Sequence, residues 1–153
     1  MRLLIWQRAG CLDQLPLFSE FCLEQSLLKE DIIMVEMLGT VAIGGFLGAI
    51  SRYWLMQYIK SKIKSAMPIA TLIINLTGSF LLGLTAGFHV NETIHLLFAV
   101  GFLGAYTTFS TLAVEAAELW KGKNIRTFSW YVLISFGGGL LFAWLGYMAA
   151  NIG

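Results

Sequence analysis

Long apolar runs separated by short polar stretches make up most of the chain after residue 36. A transmembrane helix needs about 20 consecutive, mostly apolar residues. Four runs meet this requirement, and they cover residues 37–59, 68–88, 94–114 and 128–150. The connections between the runs are short and leave no room for an extramembrane domain. The pattern therefore predicts an all-α membrane protein with four transmembrane helices.

Composition supports this fold class and removes several others. Of the 153 residues, 58% are hydrophobic and 12% are charged, whereas a soluble domain carries about 25% charged residues. These values exclude a disordered chain, a nucleic-acid binder and an ordinary soluble enzyme. The two cysteines, Cys11 and Cys22, have the spacing of neither a metal site nor a disulfide framework. The sequence pairs no nucleophile with a base, so we expect no enzymatic activity. Glu115 and Glu118 lie at the end of a span, where we expect both to be solvated.

Residues 1–36 differ in charge from the rest of the chain. They contain 3 basic and 6 acidic side chains, whereas residues 37–153 contain 7 basic and 3 acidic ones. We expect the first segment to form either an acidic, partly amphipathic helix or no stable structure. Because a complete apolar run begins at Met37, we favour translation starting at Met34 or Met37. The four-helix transmembrane domain is then residues 37–153.

The basic residues of the connections predict an orientation in the membrane. Residues 60–67 contain three lysines, and residues 115–127 contain two lysines and one arginine. Residues 89–93 and the C-terminus contain neither lysine nor arginine. Loops rich in lysine and arginine stay in the cytoplasm. The first and third connections are therefore predicted to be cytoplasmic, with both termini outside.

Small residues recur at helical spacing within the apolar runs. Gly44 and Gly48 are four residues apart, and Gly83 and Gly87 repeat that spacing. Small residues let helix backbones approach closely, so we expect tight helix packing and a dimer that buries such a face. Arg52 continues the first face. Its charge either attracts an anion or reaches the membrane surface along its aliphatic stem.

Polar side chains share faces of the second and fourth runs. Thr71, Asn75 and Ser79 follow each other at four-residue spacing, as do Tyr131 and Ser135. A buried amide needs hydrogen-bond partners. Asn75 therefore either joins two helices or donates its NH2 group to a passing anion.

The third run has the most unusual pattern, because residues 101–112 read GFLGAYTTFSTL. Two glycines, three threonines and one serine here interrupt an apolar run near the middle of the membrane. These residue types are poor helix formers or compete for backbone hydrogen bonds. One interpretation is a broken helix whose freed carbonyl groups hold a cation. The other is a continuous helix whose hydroxyl groups bond to the preceding turn.

Three motifs taken together resemble the CrcB/Fluc family of fluoride channels. They are GGFLGAISRY at 44–53, TLIINLTGSF at 71–80 and GFLGAYTTFST at 101–111. The motifs occur in the right order on four spans of the right size, and the resemblance runs from about Met37 to the C-terminus. It implies a fluoride-selective channel of a bacterial cell membrane, which exports fluoride passively from the cytoplasm and lowers its toxicity.

The resemblance also implies an assembly and a set of site residues. The fold would be a dual-topology, antiparallel dimer with two pores at the subunit interface and a third helix broken near mid-membrane. A central structural Na+ would be held by the backbone carbonyls of Gly104 and Thr107, and Arg52 would lie near a vestibule. The fluoride pathway implied by the resemblance and the polar faces comprises Thr71, Asn75, Phe109, Ser110, Thr111, Tyr131 and Ser135.

Two features depart from the family pattern. Leu112 occupies the position where the family usually has a second phenylalanine. In addition, a dual-topology homodimer needs a nearly neutral charge bias, whereas this chain, counted from Met37, has six lysines and arginines on one side and none opposite. We therefore expect an oppositely oriented paralogue as the partner, with a homodimer as the alternative.

Two other functions remain as alternatives to the channel. A proton-coupled antiporter of the small multidrug-resistance type needs a carboxylate inside the membrane, and the first span offers only Glu36 at its edge. A non-transporting membrane scaffold would leave the polar line through Asn75, Thr107 and Thr111 unexplained.

Overall fold

The computed structural model describes residues 16–88 and 90–152, with side chains from residue 28 onward. All regular secondary structure in this part of the chain is helical. Most of the predicted extension over residues 1–36 lies outside the residues described with side chains, and so do Cys11 and the side chain of Cys22. Residues 1–38 and residues 39–153 form two compact units.

Five helices follow one another along the described chain. Helix α1 comprises Pro16–Lys62 and contributes residues to both units. Helix α2 comprises Ile69–Gly87. Helix α3 covers residues 92–106, helix α4 comprises Phe109–Lys121, and helix α5 covers residues 125–151.

Helices α3 and α5 each contain a π-helical segment. Such segments are rare, and they often occur at functional sites. In α3 the order is Glu92–His95, the π-helical Leu96–Leu103 and then Gly104–Tyr106; in α5 it is Ile125–Leu133, the π-helical Ile134–Gly138 and then Gly139–Asn151.

Four segments of the described chain are long and apolar enough to cross a membrane. They are Leu28–Lys62, Ile69–Gly87, Glu92–Lys121 and Ile125–Asn151. The predicted number of transmembrane helices is therefore confirmed. The third segment consists of α3 and α4 and contains the interruption described below.

Three of the helices continue beyond the predicted apolar runs. Residues 115–121 of the predicted third connection form the last two turns of α4. Ala116 of this stretch is buried and Leu119 packs against the core, so the helix continues where the average hydropathy falls. At the other end of the chain, residues 16–36 are helical, and the earlier part of the predicted extension lies outside the described residues.

Glycines allow the helix backbones to meet within residues 39–153. A Cβ on Gly44 would overlap the carbonyl oxygen of Leu97, and a Cβ on Gly48 would overlap that of Phe102. The tight packing predicted for this face is therefore confirmed, and it joins α1 to α3 inside one chain. This face is consequently not available to a second copy.

The same kind of contact joins α2 to α5. A Cβ on Gly83 would overlap the carbonyl oxygen of Ala143, and a Cβ on Gly146 would overlap that of Phe80. The relationship is reciprocal, since each helix contributes one glycine and one carbonyl group. The second predicted glycine face is thus also used within the chain.

Two apolar clusters pack along α2 on either side of the interruption in the third span. Ile74 packs with Leu103 and Tyr106 near the end of α3. Leu72 packs with residues of α4 and with Tyr131 of α5. Helix α2 therefore supports both halves of the third span.

Candidate functional site

The third span is interrupted at Thr107 and Thr108, and these two residues are called the break. Helix α3 ends at Tyr106 and α4 begins at Phe109. Thr107 has φ −76° and ψ 156°, and Thr108 has φ −145° and ψ 117°, so both are extended. The Thr108 hydroxyl accepts the amide N–H of Thr111 at 3.2 Å. This side-chain cap starts α4 directly after the break.

The side chain of Asn75 binds both backbone groups of Thr108. Its Nδ2 donates to the Thr108 carbonyl at 3.0 Å, and its Oδ1 accepts the Thr108 N–H at 2.9 Å. In an unbroken helix that N–H would bond to the carbonyl of Gly104. Asn75 thus joins two helices, and one N–H of its amide remains for a ligand because the group carries two.

Hydroxyl groups continue from the break along the first turn of α4. The Thr108 hydroxyl donates to Thr111 Oγ1 at 3.0 Å and lies 3.3 Å from Ser110 Oγ. Ser110 is exposed and Thr111 is half-buried. The predicted pathway residues Ser110 and Thr111 therefore lie together at the start of α4.

An open groove of about 310 Å³ runs past the break, and we call it the mid-span groove. Phe109 lies at the edge of this groove and is 71% exposed. Gly104 faces open space, since a Cβ there would meet nothing within 4 Å. Of the candidate residues, the groove is lined by Asn75, Gly104, Thr107, Phe109 and Ser135, together with Ser79 and Thr108.

A second group of polar side chains is enclosed between α2, α4 and α5. Tyr131 is completely buried, and its hydroxyl donates to Glu115 Oε2 at 2.8 Å. Thr71 is also completely buried and lies beside the Tyr131 hydroxyl. Its Oγ1 has no hydrogen-bond partner among the residues described with side chains. An unsatisfied buried hydroxyl costs about 1–3 kcal/mol, so a polar partner for Thr71 Oγ1 would stabilise the chain.

Ser135 connects the enclosed group to the mid-span groove. Its Oγ donates to the carbonyl of Tyr131 at 2.7 Å. Ser135 is nevertheless a groove-lining residue. The four-residue spacing of Tyr131 and Ser135 thus places one residue in the enclosed group and the other at the groove.

Backbone carbonyls are the possible cation ligands at the break. Residues 28–88 and 90–152 contain no group of three or more acidic, histidine or cysteine side chains that could hold a metal ion. In a continuous helix the Thr108 N–H would bond to the carbonyl of Gly104, but here it donates to Asn75 instead. In the same part of the chain, no hydrogen bond reaches the carbonyl of Thr107. Carbonyl oxygens suit a hard cation, so both groups fit the predicted Na+.

Comparison with known families settles the classification of this fold. The family model described as CrcB-like protein, Camphor Resistance (CrcB), matches residues 39–147. This chain belongs to the CrcB family.

Curated relatives cover the same part of the chain. A protein of Bacillus cereus named fluoride-specific ion channel FluC 2 is 44% identical over 119 residues, which are 78% of this chain and all of that relative. A FluC 2 protein of Lactobacillus johnsonii is 43% identical over 74% of this chain and 95% of its own. A FluC 1 protein of Geobacillus kaustophilus is 41% identical over 70% of this chain and 91% of its own. The chain is accordingly a multi-pass membrane protein of the CrcB family.

The structure of this CrcB protein does not bring every candidate residue together. The groove joins Asn75, Phe109 and Ser135, while Thr71 and Tyr131 lie in the enclosed group. Arg52 is half-buried on α1 and does not line the groove. Its assignment to a vestibule remains a prediction.

Sequence reasoning missed the contact made by Glu115. We expected this residue to be solvated at the end of a span, but it accepts the hydrogen bond of Tyr131. The signal was present, since Glu115 follows Thr111 at four-residue spacing and continues its helical face. Glu115 is thus half-buried and bonded to Tyr131, so it is more than a solvated carboxylate at a helix end.

Leu112, where the sequence analysis expects a departure from the family pattern, is part of the core. It is 8% exposed and packs with Leu72 and Tyr131. It also lines the mid-span groove. Leu112 therefore contributes both to the packing around Tyr131 and to the wall of the groove.

Proposed function

We propose that this chain forms a fluoride-selective ion channel, which lets fluoride leave the cytoplasm passively and so lowers its toxicity. The observation that carries the proposal is the mid-span groove, where an amide N–H, hydroxyl groups and an aromatic ring lie together inside an apolar span. Membership of the CrcB family supports it, and the relatives that cover the four spans are named fluoride-specific ion channels.

The chemistry of the groove suits a small anion that holds its water tightly. Moving such an ion through an entirely apolar path would cost many kcal/mol. The free N–H of Asn75 and nearby hydroxyl groups can replace its water molecules one by one. The ring edge of Phe109 adds weak attraction because the edge of an aromatic ring is positive. Conduction needs binding that is weak enough for release.

The proposed pathway extends from the groove to the enclosed group. Ser135 is the contact between the two, and the unpaired hydroxyl of Thr71 provides a donor beside Tyr131. Ser110 and Thr111 provide hydroxyl groups on α4. Arg52 is the proposed vestibule residue, where its positive charge would raise the local concentration of an anion.

An antiparallel dimer is part of the proposal, since one copy leaves the groove uncovered. Phe109 is 71% exposed and the space around Gly104 is open. A backbone carbonyl facing lipid without a partner costs several kcal/mol. A second copy that covers Gly104 and Phe109 removes this cost and closes the pore wall.

The same arrangement gives a place for the structural Na+. The carbonyls of Gly104 and Thr107 would hold the ion where the two copies meet. A bound cation would neutralise the partial negative charge of these carbonyls. The side chain of Asn75 contributes indirectly, because it removes the N–H that would otherwise occupy the Gly104 carbonyl.

The charge bias supports an oppositely oriented paralogue as the partner. Counting from Met37, six lysines and arginines lie on one side of the four spans and none on the other, which favours one fixed orientation. The relatives include proteins named FluC 1 as well as FluC 2. The proposed partner therefore has its lysines and arginines in the second connection and at the C-terminus.

Fluoride efflux from liposomes tests the channel. The full chain is reconstituted alone and together with a CrcB protein of reversed lysine and arginine pattern, and a fluoride electrode records efflux after valinomycin addition. We expect rapid efflux that does not respond to a proton gradient, and faster efflux in the mixed vesicles. Vesicles that stay impermeable to fluoride in both preparations would contradict the channel, and equal efflux by the single chain would contradict the need for a paralogue.

A further inference from the structure

Three consecutive residues at the break are held by three different residues of α2. The backbone of Thr108 is held by Asn75. Thr107 packs on Gly78, where a Cβ would overlap its Cγ2 methyl group. The remaining contact joins Tyr106, the last residue of α3, to Thr77. This third contact lies outside the proposed fluoride pathway.

The Tyr106–Thr77 contact is a directed hydrogen bond between two hydroxyl groups. The two oxygens are 3.1 Å apart. Thr77 Oγ1 also lies 2.7 Å from the carbonyl oxygen of Ile73, to which it donates. A threonine hydroxyl has one proton, so Thr77 accepts and Tyr106 donates. The end of α3 is thereby tied to one position along α2.

Packing fixes the ring that carries this hydroxyl. Tyr106 is 7% exposed and belongs to the cluster of Ile74 and Leu103. Its ring stacks on Phe102, with centroids 5.7 Å apart and an interplanar angle of 11°. The backbone of α2 also comes close at Gly78, where a Cβ would lie 3.4 Å from Tyr106 Cδ1. The hydroxyl can therefore reach Thr77 only with α3 in its present register.

We propose that Tyr106 and Thr77 form a positioning pair for the break. Their hydrogen bond ends α3 at Tyr106 and presents Thr107 and Thr108 to α2, so that the Thr108 backbone meets Asn75. Without the bond, the end of α3 can rotate, and the Asn75 amide loses its fixed partner. Neither hydroxyl touches the ion, and the fluoride consequence rests on the proposed function.

The test uses the full chain in lipid vesicles and in detergent micelles. Tyr106→Phe and Thr77→Val each remove one hydroxyl, Thr77→Ser keeps the acceptor, and the double variant Tyr106→Phe/Thr77→Val measures coupling. Tyr58→Phe is the matched control, because Tyr58 is 62% exposed on α1. The first readout is the amide resonance of Thr107 and Thr108 in protein labelled with 15N-threonine, and the second is fluoride efflux.

We expect Tyr106→Phe and Thr77→Val to shift both amide resonances in the same direction and to lower efflux about fivefold, the effect of one net hydrogen bond. The double variant should be no worse than either single variant, and Thr77→Ser should match the wild type. Additive losses, unshifted amide resonances or equal changes in Tyr58→Phe would overturn the positioning pair. If the wild type passes no fluoride, the proposed function fails, while the resonances still decide whether the pair positions the break.

Discussion

The side chain of Asn75 makes the two hydrogen bonds with the backbone of Thr108 that a continuous helix would otherwise make. It donates at 3.0 Å and accepts at 2.9 Å, so both backbone groups of one residue are satisfied by one amide. A carboxylate cannot do this because it only accepts, and an ammonium group only donates. The relationship explains why an amide occupies the middle of the second span, and it links the geometry of the break to α2.

Asn75→Asp should abolish fluoride efflux. The carboxylate places a negative charge beside the pathway, and an acceptor oxygen would face the carbonyl of Thr108 where Nδ2 now donates. Burying an unpaired charge is costly, so the variant should also unfold at a lower temperature. Fluoride-electrode recordings from liposomes provide the measurement.

Asn91→Asp is the matched control for that substitution. Asn91 caps α3 by accepting the N–H of Ile94 at 2.9 Å, and aspartate caps a helix equally well. Efflux and stability should therefore equal those of the wild type. Wild-type efflux in Asn75→Asp would rule out the assignment of Asn75 to the pathway.

Thr71→Val should lower fluoride efflux without lowering stability. Valine has the shape of threonine and lacks the hydroxyl that is buried without a partner. Removing an unsatisfied polar group is neutral or stabilising, so a purely structural role predicts no loss of any kind. Efflux and the midpoint of thermal unfolding should be measured on the same preparation.

Thr85→Val controls for the loss of a hydroxyl on the same helix. Thr85 is outside the groove, and its hydroxyl donates to the carbonyl of Leu82 at 2.9 Å. We expect unchanged efflux in this variant. If Thr71→Val also conducts normally, the hydroxyl of Thr71 has no part in conduction.

Gly83→Ala should prevent stable folding of the four spans. The new methyl group would overlap the carbonyl of Ala143 on α5, a backbone atom that cannot move aside. Overpacking of this kind costs about 1–3 kcal/mol or more. Gly39→Ala is the control, since a Cβ there meets nothing within 4 Å. The yield of folded protein should fall in Gly83→Ala alone, and equal yields would show that α2 and α5 can separate.

Lys123→Gly should stabilise the chain by about 1 kcal/mol. Lys123 has φ 57°, which is unfavourable for a side chain with a Cβ. It follows α4 in a helix-ending motif, in which its N–H bonds to Trp120 and the N–H of Asn124 bonds to Leu119, each at 3.0 Å. Glycine is the preferred residue at that position. The midpoint of thermal unfolding should rise.

Lys121→Gly is the control for the effect of glycine itself. Lys121 is the last residue of α4, where glycine should destabilise by up to about 1 kcal/mol. Both variants remove one lysine near the end of α4, so a difference between their unfolding midpoints is not due to the lost charge. A lower midpoint for Lys123→Gly would contradict the argument from backbone conformation.

The number of spans was predictable because it depends on length and hydropathy alone. Residues 37–153 contain four apolar runs, and each run became a helix of sufficient length. The ends of the helices were less predictable. Leu119 and Trp120 continue α4 beyond the apolar run, because helix geometry depends on hydrogen bonds and packing as well as on hydropathy.

The contents of the site were partly predictable. The spacing of Thr71 and Asn75 placed them on one face of α2, but sequence spacing within one helix cannot show which helix lies opposite. The pairing of Asn75 with the backbone of Thr108, and of Tyr131 with Glu115, therefore required the fold. The direct contact of Tyr106 with Thr77 was hidden for the same reason.

The short connection between α4 and α5 determines how this half of the protein can move. Only residues 122–124 separate the two helices, and the rings of Trp120 and Phe128 meet across the connection with centroids 5.3 Å apart. The two helices therefore form a tight hairpin, in which Tyr131 of α5 donates to Glu115 of α4. Because the connection is this short, α4 cannot move away from Tyr131 without opening the contact between the Trp120 and Phe128 rings.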